Sequence, residues 1–350
     1  MAETSPAHLI TLPDVALKNI LDQCDFLAIT NLRKVCRDLR NFIEDTKPEP
    51  YHKDLNIILY DDYIRVQTYT GENPWLYPDG DWVWTQYTKE PIGCSVSFVT
   101  GDKVIQKGFP NEDYISMFCG DFLVNFGHRK SVLPDFYLNL TCQNPEIQSK
   151  FLESFQKILE SRIHPMKVST FQMVVEKAEP VLKILKFMDK NSIEEINLMS
   201  LHRATRELDL TELKNLKQWN AAKKLRLEHF QTSENLEEFY GFKSALVDYK
   251  ELKAQDIVRL RNEFLQNPRP HRFQLMYETI SNEPLLIDTF GQPFLRTDPI
   301  GNKKNWIFSI PDTDQIVSIN LYSKFVIFYR IKGSDVKEKT DPDYFEQVWV

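Results

Sequence analysis

The sequence has no apolar run long enough to cross a bilayer. Its longest stretch without a charged residue is about a dozen residues, against the roughly 20 that a membrane helix needs. It has no basic excess either: 43 lysines and arginines face 50 aspartates and glutamates, a net charge of −7. A chain of that sign offers no general field to a phosphate backbone, so direct nucleic-acid binding is not expected. Cysteines are few. Cys24, Cys36, Cys94, Cys119 and Cys142 are odd in number and contain no C-x-x-C pair. They read as small buried hydrophobes in a reducing compartment. Met1 to Thr11 has no basic segment and no apolar run of signal-peptide length, so the expectation is a cytoplasmic or nuclear protein with no membrane contact. Without a signal peptide, the sequon Asn139-Leu140-Thr141 reads as accidental.

Catalytic signatures are missing as well. There is no G-x-G-x-x-G or G-x-x-x-x-G-K-[ST] to cradle a phosphate, and no G-x-S-x-G elbow. The seven histidines make no H-E-x-x-H and no zinc spacing with cysteine. Acidic pairs such as Asp61-Asp62 and Glu194-Glu195 are sequence neighbours and point in different directions. The expectation is a non-catalytic protein with no cofactor and no metal.

What is present is 350 residues, a length that predicts about two domains. Hydrophobic residues make up 42% and aromatics 12%, enough for real cores.

Residues 8–48 read as a three-helix unit. Pro13 suits the first position of a helix and Asp14 its first turn. Leu17, Ile20 and Leu21 make one apolar stripe; Phe26, Ile29 and Leu32 a second; Val35, Leu39, Phe42 and Ile43 a third. Pro48 and Pro50 stop the last helix. Forty residues are too few for a self-sufficient core, and the apolar pair Leu12-Pro13 ahead of the first stripe asks for a partner to cover it.

Leu12-Pro13, then Ile20-Leu21, then Leu32-Arg33-Lys34-Val35-Cys36-Arg37-Asp38-Leu39-Arg40 resemble an F-box, the motif by which substrate receptors dock on the Skp adaptor of cullin–RING ubiquitin ligases. Cys24 stands where many F-boxes carry leucine. The resemblance implies an adaptor-facing and core surface of Leu12, Pro13, Leu17, Ile20, Leu21, Ile29, Leu32, Val35, Leu39 and Phe42. The same stripes also suit a plain helical cap on the next domain.

Residues 51–110 alternate at period two, in Leu55-Ile57-Leu59, Tyr63-Arg65-Gln67 and Trp82-Trp84, with Gly71, Pro74, Pro78 and Gly80 as turns. They predict a small set of antiparallel strands joining the F-box to the helix-and-strand region that begins near residue 111. Trp75, Trp82 and Trp84 fit an aromatic β core, or a binding patch.

From 111 to 284, helical patterns alternate with strands, one helix before each. The strands share a spacing: apolar, two others, apolar, one other, apolar. It appears in Leu133/Phe136/Leu138, Val168/Phe171/Met173 and Ile193/Ile196/Leu198, and more weakly in Ala222/Leu225/Leu227, Phe242/Ala245/Val247 and Pro270/Phe273/Leu275. Such units cannot bury their apolar faces alone and must stack. Helical stripes at Phe151/Phe155/Ile158/Leu159, Val181/Leu182/Leu185/Met188 and Ile257/Leu260/Phe264/Leu265 are core faces. The last leucine of the best copy is followed by Met199 and not by an asparagine, so the array is expected to be irregular.

Within this stretch, Leu213 to Trp219, Ala222-Lys223-Lys224-Leu225-Arg226-Leu227 and Asp256-Ile257-Val258-Arg259-Leu260-Arg261 resemble the FTH domain of the nematode F-box A proteins, over about 145–290. That family places an F-box ahead of this domain, as here.

Residues 285–350 end in alternating segments, Trp306-Phe308-Ile310, Val317-Ile319-Leu321 and Phe325-Ile327-Tyr329. They predict a β-meander cap, with an acidic tail from Asp341 that carries Tyr344, Phe345 and Trp349.

The fold expectation is therefore mixed α/β: an N-terminal three-helix F-box, then an irregular, curved, leucine-rich-repeat-like array with added strands at both ends. The resemblances imply the substrate-recognition subunit of a Skp–cullin–F-box ligase, with Skp adaptor and cullin as partners and an unknown target protein. The alternative is a ubiquitin-independent scaffold that recruits a protein, or through it an RNA. The positions between the buried strand residues are the candidate target contacts: Tyr137, Thr170, Gln172, Asn197, Arg226 and Gln274.

Overall fold

Period-two segments become strands and 3.6-period segments become helices in the computed structural model, which describes residues 9–24, 29, 32, 33, 35–48, 54–68, 83–100, 103–201, 206–298 and 300–336. Trp75, Trp82, Phe26, the turn residues Gly71, Pro74, Pro78 and Gly80, and the tail from Asp341 lie outside the described residues. The chain divides into two compact units, residues 1–175 with 179–193, and residues 176–178 with 194–350.

The first unit opens with α1 (Asp14–Gln23). Pro13 is its N-cap and not, as expected, its first helical residue, because its ψ of 143° is extended. The Pro13 carbonyl accepts the first helical bond, from the Leu17 N–H at 3.0 Å. Ile29, Leu32, Arg33 and Val35 are helical. The next helix, α2 (Arg37–Thr46), begins after Cys36, whose Sγ accepts from the Leu39 N–H at 3.5 Å. Val35 thus lies ahead of this cap and off the stripe that it was expected to share. Lys47 ends α2 in the left-handed region, and Pro48 comes directly after it. Leu17, Leu21, Ile29, Leu39 and Ile43 form a buried cluster, with Leu9, Leu12, Cys24, Leu32, Cys36 and Phe42 packed against it.

Seven strands come next among the described residues: β1 (Asp54–Leu59), β2 (Tyr63–Thr68), β3 (Val83–Glu90), β4 (Gly93–Thr100), β5 (Lys103–Phe109), β6 (Leu133–Asn139) and β7 (Val168–Val174). Their order in space is β7-β6-β1-β2-β3-β4-β5. The run from β1 to β5 is antiparallel, but β1 pairs with β6 in parallel. So the strands of 51–110 pair with one another as the antiparallel set that was expected, and the parallel contact is to β6 beyond that segment. Leu55, Ile57 and Leu59 of this central strand are fully buried. Gly93, at φ +95°, opens β4 where an added Cβ would stand 2.3 Å from the Phe109 carbonyl oxygen, a place that only glycine fits.

α3 (Tyr114–Phe126) and α4 (Pro145–Glu160) meet through an aromatic layer. Phe122 lies edge-on to Phe155, ring centres 4.9 Å apart, and Phe118 stacks on Phe151 at 5.6 Å. Each such pair adds about 0.5–1.5 kcal/mol beyond its area. α5 (Ala178–Leu185) buries Val181, Ile184 and Leu185.

The second unit holds β8 (Glu195–Met199), β9 (Arg206–Glu207), β10 (Lys224–Gln231), β11 (Ser244–Lys253), β12 (Arg272–Ser281), β13 (Phe294–Asp298), β14 (Gly301–Ser309), β15 (Gln315–Leu321) and β16 (Phe325–Lys332). β8, β10, β11 and β12 are parallel neighbours; β16 pairs antiparallel with β12, and β13 to β16 form a meander. Its helices are α6 (Lys217–Ala221), α7 (Ala254–Gln266) and α8 (Pro284–Phe290). A helix does not precede each strand as expected. β11 comes after only a single 3₁₀ turn, Leu236–Phe239, in the twelve residues that separate it from β10.

The apolar spacing of the sequence maps onto the buried face. All eighteen residues of the six copies are buried. Register aligns them across strands: Phe136 with Phe171, Leu138 with Met173, Leu225 with Ile196 and Ala245, Ala245 with Phe273. The Phe136 and Phe171 rings stack 5.8 Å apart. Two arginines, Arg330 buried and Arg162 half-buried, close two helix ends. Arg330 of β16 donates to the carbonyls of Phe264, Asn267 and Pro270 around the end of α7. Arg162 donates to the carbonyls of Phe126 and Arg129 beyond α3. Both satisfy C-terminal carbonyls that have no partner within the helix.

Candidate functional site

The ten residues placed on the adaptor-facing surface separate into two sets. Leu17, Leu21, Ile29 and Leu39 are internal, so they hold the helices together and cannot touch an adaptor while the unit stays folded. Leu12, Leu32 and Phe42 are half-buried against them, while Pro13, Ile20 and Val35 are exposed, Ile20 at 41% and Val35 at 68%. Two exposed apolar residues missed by sequence reasoning join these, Ile10 and Val15, the latter 74% exposed. Their neighbours in the chain looked like ordinary stripe positions, and only packing shows which side of α1 stays bare. An open apolar set of this kind on a small helical unit is what a protein partner covers.

The six candidate target contacts fall into two groups of three, one in each unit. In the first, Tyr137 is in register with Gln172, and Thr170 with Asp135. Gln172 Nε2 donates to both Asp135 oxygens, at 2.9 and 2.7 Å, and Asn139 Nδ2 donates to the Tyr137 hydroxyl at 3.0 Å. Burial pushes the Tyr137 phenol above its ordinary range, opposed by the Asn139 bond. The same row continues through Asn56 and Gln67 to Trp84. Beside it the Arg65 guanidinium lies 5.5 Å from the ring centres of both Tyr63 and Trp84 and donates to Gln86 at 3.1 Å. This cation–aromatic group was legible only as strand alternation, because its members are brought together by pairing across β2 and β3.

In the second unit, Asn197 is in register with Arg226, and Leu246 separates Arg226 from Gln274. Asn197 is only 7% exposed, so its side chain offers little surface to a target. Arg226 is held by Glu228, with Nε to Oε1 at 2.8 Å, so its charge is balanced within the face. Gln274 Nε2 lies 3.5 Å from the Met276 sulfur.

No group of three or more His, Cys, Asp or Glu among the described residues could hold a metal ion. Among the same residues no helix is long and apolar enough to cross a membrane. Burial pushes the Cys119 and Cys142 thiols up to about 12 and raises that of Cys94, the opposite of what a nucleophilic cysteine needs.

Comparison with protein families finds two matches. An F-box domain covers residues 9–50 and an FTH domain covers residues 149–293, from within α4 to just past α8. The order is that of the F-box A architecture that the sequence resembles. No match appears among the curated proteins or among the solved structures.

Proposed function

We propose that this chain, an F-box with an FTH domain after it, is a substrate receptor that docks on a Skp-family adaptor, and through it on a cullin, and holds a target protein with its FTH domain. The F-box supports membership of the receptor family of Skp–cullin–F-box ligases. The observation that carries the reading is the bare apolar set Ile10, Pro13, Val15, Ile20 and Val35 on a helical unit where Leu17, Leu21, Ile29, Leu39 and Ile43 pack inward. F-box and FTH domains are typical of non-catalytic proteins. Catalysis in such a complex is proximity: the receptor raises the effective concentration of a target near a charged conjugating enzyme.

On this reading the parallel strands act within each unit as stacked, leucine-rich-repeat-like elements, supported by the shared spacing and the in-register burial. Target contact falls to Tyr137, Thr170 and Gln172 in the first unit and to Arg226 and Gln274 in the second. The place of action is the cytoplasm or nucleus, with no direct contact to nucleic acid or membrane.

The test is affinity purification with mass spectrometry, on the wild-type chain and on the Leu12→Ala/Pro13→Ala double variant. The expected result is adaptor and cullin with the wild type alone, and shared proteins that accumulate in cells when this protein is removed. Adaptor retained on the double variant would place the interface elsewhere. Partners that lose their location but keep their abundance would make the chain a ubiquitin-independent scaffold.

A further inference from the structure

A cavity of about 590 Å³ lies where the end of α2 meets the C-terminal ends of α3 and α4, all within the first unit. Among the described residues its wall carries Arg33, Lys47, Arg129, Lys130 and Arg162, with Glu44 as the one acidic group. Five basic residues less one acid leave +4 here, in a chain whose net charge is −7. A local field of opposite sign to the whole protein selects an anionic ligand.

Part of that charge has a structural duty. Arg162 closes the end of α3, and Arg33 pairs with Glu44 at 2.9 Å. These bonds fix the wall. Lys47 and Lys130 stand exposed at its rim.

The rest of the lining mixes Asn125, His128, Ser161 and His164 with apolar side chains. Leu123 and Val124 on α3 are 41% and 45% exposed, and Ile163 beyond α4 is 91% exposed. A simple inorganic anion would use none of this surface. Apolar floor beside a basic rim fits a peptide that carries carboxylates next to a large aliphatic or aromatic side chain. The volume lies in the range that holds such a side chain and its neighbours.

We propose that this cavity binds an acidic peptide segment of a partner protein. One apolar side chain of the segment seats against Leu123, Val124 and Ile163, and flanking carboxylates meet Lys47, Lys130 and Arg33. The site shares no residue with the bare apolar set near Pro13 or with the candidate target contacts. Because α2 supplies one wall, an occupied cavity also braces the F-box against α3 and α4.

The experiment is fluorescence anisotropy on the full chain. The probe is a short fluorescein-labelled peptide of glutamates flanking a central leucine. Expected is saturable binding that weakens with salt. It should fall about tenfold or more in Lys47→Glu/Lys130→Glu, and severalfold in Ile163→Ser. All three positions are exposed, so thermal unfolding should not change. Lys103→Glu/Lys107→Glu on β5 makes the same charge change outside the cavity and should leave binding at wild-type strength. No saturable binding, or equal binding by Lys47→Glu/Lys130→Glu, overturns the proposal. If a serine-centred peptide binds as well as the leucine-centred one, and inorganic pyrophosphate displaces both, the site takes simple polyanions and the peptide reading fails.

Discussion

His128 and Pro48, 80 residues apart in sequence, are joined directly: His128 Nε2 donates to the Pro48 carbonyl oxygen at 3.2 Å. Pro48 lies just past the last helix of the F-box, and His128 just past α3, so this bond ties the F-box exit to the sheet-packed helices of the same unit. His128→Phe keeps the ring and removes the donor. The expected cost is about 0.5–1.5 kcal/mol, seen as faster amide hydrogen exchange in α2 with α7 unchanged. Unaltered exchange in α2 would show that packing alone holds the junction.

The two sets of F-box residues predict opposite phenotypes. Val15→Asp and Val35→Asp should abolish adaptor capture without lowering the thermal midpoint, since both side chains are exposed. Leu21→Ala, at a fully buried position, should cost about 2–5 kcal/mol and loosen the whole helical unit. Adaptor binding measured beside hydrogen exchange separates contact from fold.

Asp61 predicts an acid-labile loop anchor. Its Oδ1 accepts from the Cys142 thiol at 2.9 Å, from the Asn144 N–H at 3.0 Å and from the Gln143 N–H at 2.9 Å. These bonds, led by that of Cys142, hold its carboxyl below the ordinary range. A lowered folded value means that the contribution is complete above the unfolded pKa and is lost as pH falls through the folded one. The gap in thermal midpoint between wild type and Asp61→Ala should therefore stay constant near neutral pH and narrow below about pH 4. A gap that is unchanged in acid would assign the effect to the loop backbone.

Thiol chemistry should rank the cysteines. Burial holds Cys119 and Cys142 up to about 12, and Cys94 is raised and buried. Cys24 and Cys36 are only half-buried. Native iodoacetamide labelling at pH 8 should mark Cys24 and Cys36 first. The thiolate deficit alone slows Cys119 and Cys142 by roughly three orders of magnitude. In denaturant all five should label alike, and peptide mass spectrometry reads both states. Early labelling of Cys119 would mean that α3 opens far more readily than its aromatic packing allows.

Local pattern was legible where burial is set by spacing along one segment. Ile196 and Leu198 of β8 are buried because a strand shows every second side chain to the same side, whatever its neighbours are. The α4 stripe worked for Phe151, Phe155 and Leu159, while Ile158 sits at the edge of the buried face. Pro13 was misplaced by one residue because proline fixes φ and leaves ψ to the chain.

The residues of the F-box and the spacing of the strands were thus written in the sequence, since motif order and side-chain period are properties of neighbouring residues. Tertiary structure alone decided that β1 runs parallel to β6, that Asn197 is buried, that Val15 and Val35 stay bare while Leu17 and Leu39 do not, and that a basic cavity forms beside α2. Each of these depends on groups far apart in the chain. Such pairings are settled by which apolar faces and hydrogen-bond partners meet, and that is a contest between segments which no single segment records.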